Sequence, residues 1–248
     1  MRLVLPAWAL VLLVLAAEVV LVTLGWWQWQ RLGEKRALEA AFDARSAAAP
    51  LAAADVDALP VTERDFQVVA LTGRWDTERL FRVSNRYRTS IQGEEAIVPL
   101  VLADGRAVLI NRGWYPIEER DRVLAELRAQ ASTPAPVRGQ VRVRPDLNGG
   151  PLANGAWSRF DIAAMAVSLP YPTSAWAVLE GERVEGDTPP ISRQLPVTGW
   201  LPYRSTVSHF EYALTWWGLA LVLPVFAVSR FVLRSRGDGP LTRADASL

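Results

Sequence analysis

The chemistry open to this chain is narrow, and most of it converges on one imidazole. The sequence holds a single histidine, His209, no cysteine, two methionines and eleven tryptophans. Without cysteine there are no disulfides, thiolate metal sites or cysteine nucleophiles, and one histidine excludes catalysis by histidine pairs. A dedicated copper or zinc carrier, which needs several soft or imidazole ligands, is not expected either. What is left is a ring that can titrate, hydrogen-bond or ligate one metal. It stands in Ser208-His209-Phe210-Glu211-Tyr212-Ala213-Leu214-Thr215-Trp216-Trp217, directly before an apolar run. At helical spacing His209, Tyr212, Ala213, Trp216 and Ala220 form one stripe. An imidazole between aromatic rings at the mouth of a membrane helix is a candidate site. The plainer account is an interfacial hydrogen-bonder in an ordinary Trp/Tyr belt.

The other ionisable residues do not assemble a site. The chain carries 27 basic and 26 acidic residues, so it shows no nucleic-acid footprint. Asp76, Glu94, Glu95 and Asp161 are carboxylates, but no spacing ties two of them together. No Gly-x-Ser-x-Gly or metal cluster accompanies them, so an enzyme is not expected.

Two apolar stretches must position His209. Leu3 to Leu24 supplies 22 residues, enough to span a bilayer, and ends in Trp26, Trp27 and Trp29. Glu18 is the one charge inside it, either a neutral helix–helix hydrogen-bonder or a proton-relay or ligand group. Leu15-Ala16-Ala17 resembles a signal cleavage site, but the apolar run continues past it, so a retained anchor is expected. The second span, Phe210 to Leu233, contains Pro224, and Arg230, Arg234 and Arg236 cluster at its far end. These place the C-terminus, and with two spans the N-terminus, in the cytoplasm. The central domain then faces outward.

Between the spans, Gln28 to Phe42 continues helical spacing as a polar stalk, and an Ala/Pro-rich linker runs from Ser46 to Pro60. The following domain reads as short strands. Phe66, Val68 and Ala70 alternate, Glu95 to Ala103 and Arg106 to Asn111 meet at the Asp104-Gly105 turn, and Ala175 to Leu179 is another strand. Val137 to Arg144 alternates with Arg138, Arg142 and Arg144 on one side, which reads as a solvated edge. Helix is expected near Glu119 to Gln130 and Ile162 to Val167. The organisation is therefore a first transmembrane helix (1–27), a stalk and linker (28–60), a β-rich extracytoplasmic domain (61–205), a second transmembrane helix (206–233) and a cytoplasmic tail (234–248). The fold class is α+β: two transmembrane helices flanking a mainly antiparallel, open barrel-like domain with minor helix.

Four motifs in order resemble the surfeit locus protein 1 family. They are Leu24-Gly25-Trp26-Trp27-Gln28-Trp29-Gln30-Arg31 through Lys35, Gly73-Arg74-Trp75-Asp76, Asn111-Arg112-Gly113-Trp114-Tyr115-Pro116, and His209 with Tyr212, Ala213, Thr215 and Trp216. Ser208 and Glu211 depart from the family's usual residues beside the histidine. The resemblance implies an assembly factor for haem-copper cytochrome oxidases in the bacterial plasma (inner) membrane, and for bacterial members a role in handling haem A. His209 would then be an axial ligand to haem iron, with Tyr212 and Trp216 as walls and Arg31 or Arg204 pairing the propionates. A single protein ligand suits transient custody. The implied partners are the oxidase catalytic subunit and, as a second candidate, haem A synthase. Oligomeric state is not readable.

Asn111, Arg112 and Trp114 are candidate contacts for such a partner, since tryptophan and arginine are favoured interface anchors. Their structural alternative is a strained glycine after a strand with Trp114 in the core. The competing function is a membrane tether that stabilises oxidase subunits through its outer domain and binds no cofactor.

Overall fold

A computed structural model of the chain describes residues 6–88, 90–130, 134–143, 146, 148–185, 194–204 and 207–237. Arg144, the first residues of the expected first span (3–5) and the tail after residue 237 lie outside the described residues. The chain divides into two compact units, Met1–Glu39 with Ser205–Leu248, and Ala40–Arg204.

The first unit is a pair of helices. Helix α1 runs Ala7–Ser46, just after Pro6, whose fixed φ suits a helix start. Its 40 residues cover about 60 Å, so anchor and stalk are one uninterrupted helix. The last helix, α6, spans His209–Gly237. Both are long and apolar enough to cross a membrane. Their outward faces are apolar as well: Val11, Val19 and Val20 on α1, and Leu221, Val225 and Phe226 on α6, are more than half exposed. So much contiguous apolar surface needs lipid rather than water. Thr23 and Thr215 return their hydroxyls to the helical carbonyls of Val19 and Glu211, which leaves neither donor bare.

The second unit is a barrel. Its strands are β1 (Val68–Trp75), β2 (Phe81–Arg88), β3 (Ile91–Leu102), β4 (Ala107–Pro116), β5 (Pro134–Arg142) and β6 (Thr173–Glu180). The order is β1-β5-β6-β4-β3-β2, and a further β1–β3 pairing closes β1, β5, β6, β4 and β3 into a ring with β2 appended to β3. Every pair is antiparallel except β4–β6, which is parallel. This is a five-stranded Greek-key barrel of the OB type, with helix α4 (Arg120–Arg128) between its third and fourth ring strands. Val69, Leu71, Trp75, Val98, Leu100, Val108, Ile110, Val141, Trp176 and Val178 fill one core. A second cluster joins Ile97, Leu109 and Ala177 to helix α5 (Ile162–Val167), and a third seats α4 against Ala96 and Tyr115.

Three expectations change. The linker residues 46–60 are part of the domain. Leu51 bridges to Val69, and helix α2 (Ala53–Ala58) buries Val56 fully in the core. Strand β1 keeps no single phase at its start: Phe66 and Val68 are buried as expected, but Val69 and Leu71 are buried as well while Ala70 is exposed. Nor is β5 an edge. It pairs with β1 and β6, so exposed Arg138 lies on the outer face of a closed barrel, while Arg142 pairs with Asp65 and lies over the Phe66 ring.

Candidate functional site

Within the helix pair, α1 and α6 run antiparallel, since Gly25 meets Trp217 while Gln28 meets His209. Glu18, Leu21, Gly25 and Gln28 share one face of α1 by their spacing and are less exposed than their neighbours. On α6, His209, Ala213 and Ala220 are the buried stripe. Gly25 makes the fit possible. A Cβ there would lie 2.2 Å from the Trp217 indole nitrogen, so only glycine lets that ring rest on the α1 backbone. Trp29 closes over the same ring at 6.0 Å between centroids.

His209 is 9% exposed and opens the first turn of α6. Its Nδ1 lies 2.7 Å from Gln28 Oε1. An amide oxygen can only accept, so Nδ1 carries the proton and the lone pair of the neutral ring is at Nε2. Metal-ligating histidines are commonly oriented in this way, through a hydrogen bond from the ring nitrogen that does not bind the metal. Gln28 stands in the tryptophan-rich motif, but nothing in the sequence marked it as the partner of a residue 181 positions away. Glu211, which departs from the family's usual residue, is exposed, and Nδ1 is met by Gln28.

The remaining expected site residues are placed as follows. Tyr212 is 52% exposed on the surface of the helix pair, and Trp216 is half-buried. The ring packed against α1 is that of Trp217, one position later. Arg31 is exposed and pairs with Glu34 at 2.7 Å. Arg204 belongs to the barrel unit, where it and Arg183 both reach Asp43, at 3.4 and 2.8 Å. Exposed pairs of this kind are screened by solvent and contribute little to stability. Glu18 keeps one carboxylate oxygen, Oε1, buried and without a hydrogen-bond partner. Among the described residues no group of three His, Cys, Asp or Glu could hold a metal ion.

Asn111, Arg112 and Trp114 lie inside the barrel unit. Asn111 is 6% exposed and its Oδ1 accepts from the Gly113 amide. Gly113 has φ 110, and a Cβ there would lie 2.5 Å from the Val197 carbonyl oxygen. Trp114 is buried and donates its indole N–H to the Arg86 carbonyl. Arg112 lies over the Trp75 ring, 4.1 Å from its centroid, pairs with Glu180 and donates to Gln130. The Gly73–Asp76 and Asn111–Pro116 motifs therefore meet through one cation–π contact. Burial pushes the Glu180 carboxyl up, and Arg112 pulls it back in part. Asn111 and Trp114 are buried and Arg112 is half-buried.

Next to this motif lies a polar hub that sequence reasoning missed. Glu94 is 1% exposed and accepts from Arg82 (3.1 Å), Arg120 (2.8 and 3.0 Å) and the Tyr115 hydroxyl (3.1 Å). Burial, reinforced by the Glu94 charge, pushes the Tyr115 hydroxyl further up its range.

Two apolar helices long enough to span a membrane, flanking a closed barrel and carrying a buried, hydrogen-bonded histidine, define a membrane protein built around that helix pair. The chain belongs to the SURF1 family, whose model matches residues 15–221 and so covers most of α1, the barrel motifs and the start of α6 with His209. It is 25% identical over 227 residues to a SURF1-like protein of Rickettsia felis, covering 88% of this chain and 94% of that one. A SURF1-like protein of Rickettsia bellii is 24% identical over 236 residues, covering 91% and 92%. Surfeit locus protein 1 of Xenopus tropicalis is 26% identical over 242 residues, covering 89% and 75%.

Proposed function

We propose that this protein is an assembly factor for haem-copper cytochrome oxidase that takes transient custody of haem A through His209 and presents it to the oxidase catalytic subunit. The observation that carries the reading is the His209–Gln28 hydrogen bond, which puts the ring's lone pair on Nε2. The residues fit such a group. His209 would ligate the iron, Tyr212 and Trp216 would flank the macrocycle, and Arg31 would exchange its exposed partner Glu34 for a propionate. Haem A supplies the redox chemistry only once it is in the oxidase. Here the protein's part is to hold and orient, so the role is that of a carrier rather than an enzyme.

In this reading both termini are cytoplasmic, by the Arg230, Arg234 and Arg236 cluster, and the barrel faces outward across the plasma membrane. His209 then sits at the outer boundary, where an apolar macrocycle is shielded from water. The catalytic subunit and haem A synthase are the partners the barrel would meet.

The test is the absorption spectrum of detergent-purified protein, wild type and His209→Ala, from cells that make haem A. A Soret band present in wild type and lost in the variant supports custody. Haem-free wild type from such cells, together with full oxidase assembly in the His209→Ala strain, would overturn it in favour of a cofactor-free tether.

A further inference from the structure

The helix pair carries a second polar feature, independent of His209. Glu18 lies two turns before Gly25, so both project from the same side of α1. That side faces α6, since Gly25 meets Trp217 and Gln28 meets His209. Glu18 is half-buried there, and its Oε1 is covered and has no hydrogen-bond partner. In antiparallel helices, two turns back along α1 match two turns forward along α6, about 10.5 Å on each. Counted from the Gly25–Trp217 contact, Glu18 is therefore level with Pro224, the proline inside α6. Proline has no N–H, so the carbonyl of Ala220, one turn earlier, loses its regular helical donor. Ala220 is 9% exposed and belongs to the buried stripe of α6. One level of the pair thus holds two oxygen acceptors and no N–H or O–H to meet them.

We infer that Glu18 is a proton-holding site of the helix pair, its neutral carboxyl donating from Oε1 to the Ala220 carbonyl. Buried acceptors need a donor, and the bilayer core supplies no water. The neighbouring side chains supply none either. Apart from Glu18, α1 carries no charged residue from Ala7 to Gln30, and α6 carries none from Tyr212 to Ser229. Tyr212 and His209 lie near the opposite end of the pair. The hydroxyls of Thr23 and Ser229 donate to the carbonyls of Val19 and Phe226. A metal cation takes about six oxygens, and this level offers only the carboxyl and one carbonyl. A single proton satisfies both. The inference gives Pro224 a role as well, because the missing N–H creates the acceptor. Glu18 stands about 15 Å from Gln28 along the same face of α1. It therefore clamps one end of the pair while Gln28 and His209 meet at the other.

The test uses the full-length protein in detergent, read by infrared absorption and by amide hydrogen exchange of α6. The difference spectrum between wild type and Glu18→Gln cancels the other carboxyls and should show one neutral-carboxyl band, present only in wild type. Exchange reports how often the pair opens. Glu18→Leu removes the donor and should speed exchange around Ala220 by about 3–18-fold, the range of polar contacts between membrane helices. Glu18→Gln donates through its amide instead and should stay within about twofold of wild type. Pro224→Ala returns an N–H to the Ala220 carbonyl, and in that background Glu18→Leu should change exchange by less than about twofold. A carboxyl with no partner predicts the opposite sign, since leucine in its place would slow exchange. The infrared comparison stands even where Glu18→Leu fails to fold. Absence of the band, as an ionised carboxylate bridged by water would give, would overturn the inference. So would exchange in Glu18→Leu that is unchanged or slower, or that speeds equally with Pro224→Ala.

Discussion

Gln28→Leu tests the central geometry without relying on bound haem. The side chain keeps its approximate size, and the acceptor at 2.7 Å from His209 Nδ1 is lost. An orphaned buried donor costs about 1–3 kcal/mol, while polar contacts between membrane helices average only about 0.6 kcal/mol and reach about 1.7. The helix pair should therefore stay assembled while the ring loses its orientation. Because the chain has one histidine, labelling histidine with ¹⁵N in a protein with a histidine-free tag gives the ring resonances of His209 alone. Wild type should show protonated Nδ1 and unprotonated Nε2, and Gln28→Leu should lose that preference. Loss of an outer partner typically weakens metal binding by about 10–100-fold, equivalent to about 1.4–2.7 kcal/mol, which agrees with the cost of the orphaned donor. Haem A affinity should fall by that factor in Gln28→Leu and hold in Gln28→Glu, whose carboxylate also accepts from Nδ1. A wild-type ring protonated at Nε2 instead would refute the reasoning outright.

Gly25→Ala should push Trp217 off α1, at a cost of about 1–3 kcal/mol for overpacking, and shift the His209 resonances; Trp217→Ala in the same chain should restore them. Unchanged resonances in Gly25→Ala alone would contradict the close approach. Glu94→Ala strands Arg82, Arg120 and Tyr115 and should cost the barrel about 3–5 kcal/mol in urea unfolding, against about 0.5 kcal/mol or less for exposed Glu78→Ala; similar midpoints for the two would remove the hub. Burial pushes the Glu95 carboxyl up despite Arg86 and Arg88. The folded state therefore holds that proton more tightly than the unfolded chain. The group's contribution to stability is complete below the ordinary carboxylate range and is lost as pH rises through the raised value. Glu95→Gln should accordingly exceed wild type in stability at pH 8, with the gap closing near pH 4; a gap independent of pH would rule out this account.

Local chemistry was legible in the sequence where it acts locally. The Asp104-Gly105 turn does join β3 to β4, helix α5 spans Ile162–Val167 as its pattern indicated, and the two apolar runs are helices. What escaped depends on partners far along the chain. Strand β2 pairs with β3 and, through Val83, bridges to Trp157 far along the chain, and its mixed burial hides the alternation. The arginine face of β5 has the same pattern inside a closed barrel as on an edge, and only its pairing with both β1 and β6 tells them apart. Val56 sits among alanines and aspartates that read as a linker, yet it is buried because the core receives it.

The site shows the same division. His209 was conspicuous because it is alone, but its chemistry is set by Gln28 on a helix at the other end of the chain. Neighbouring tryptophans on one helix point about 100° apart, and sequence could not choose between Trp216 and Trp217 because the choice belongs to Gly25. It follows that the imidazole has a defined tautomer only when α1 and α6 are paired. Any event that separates the helices also removes the acceptor at Nδ1 and with it the orientation of Nε2. In the proposed role, binding and release at His209 would thereby be tied to helix packing, a coupling the Gly25→Ala and Trp217→Ala pair reads directly through the single imidazole.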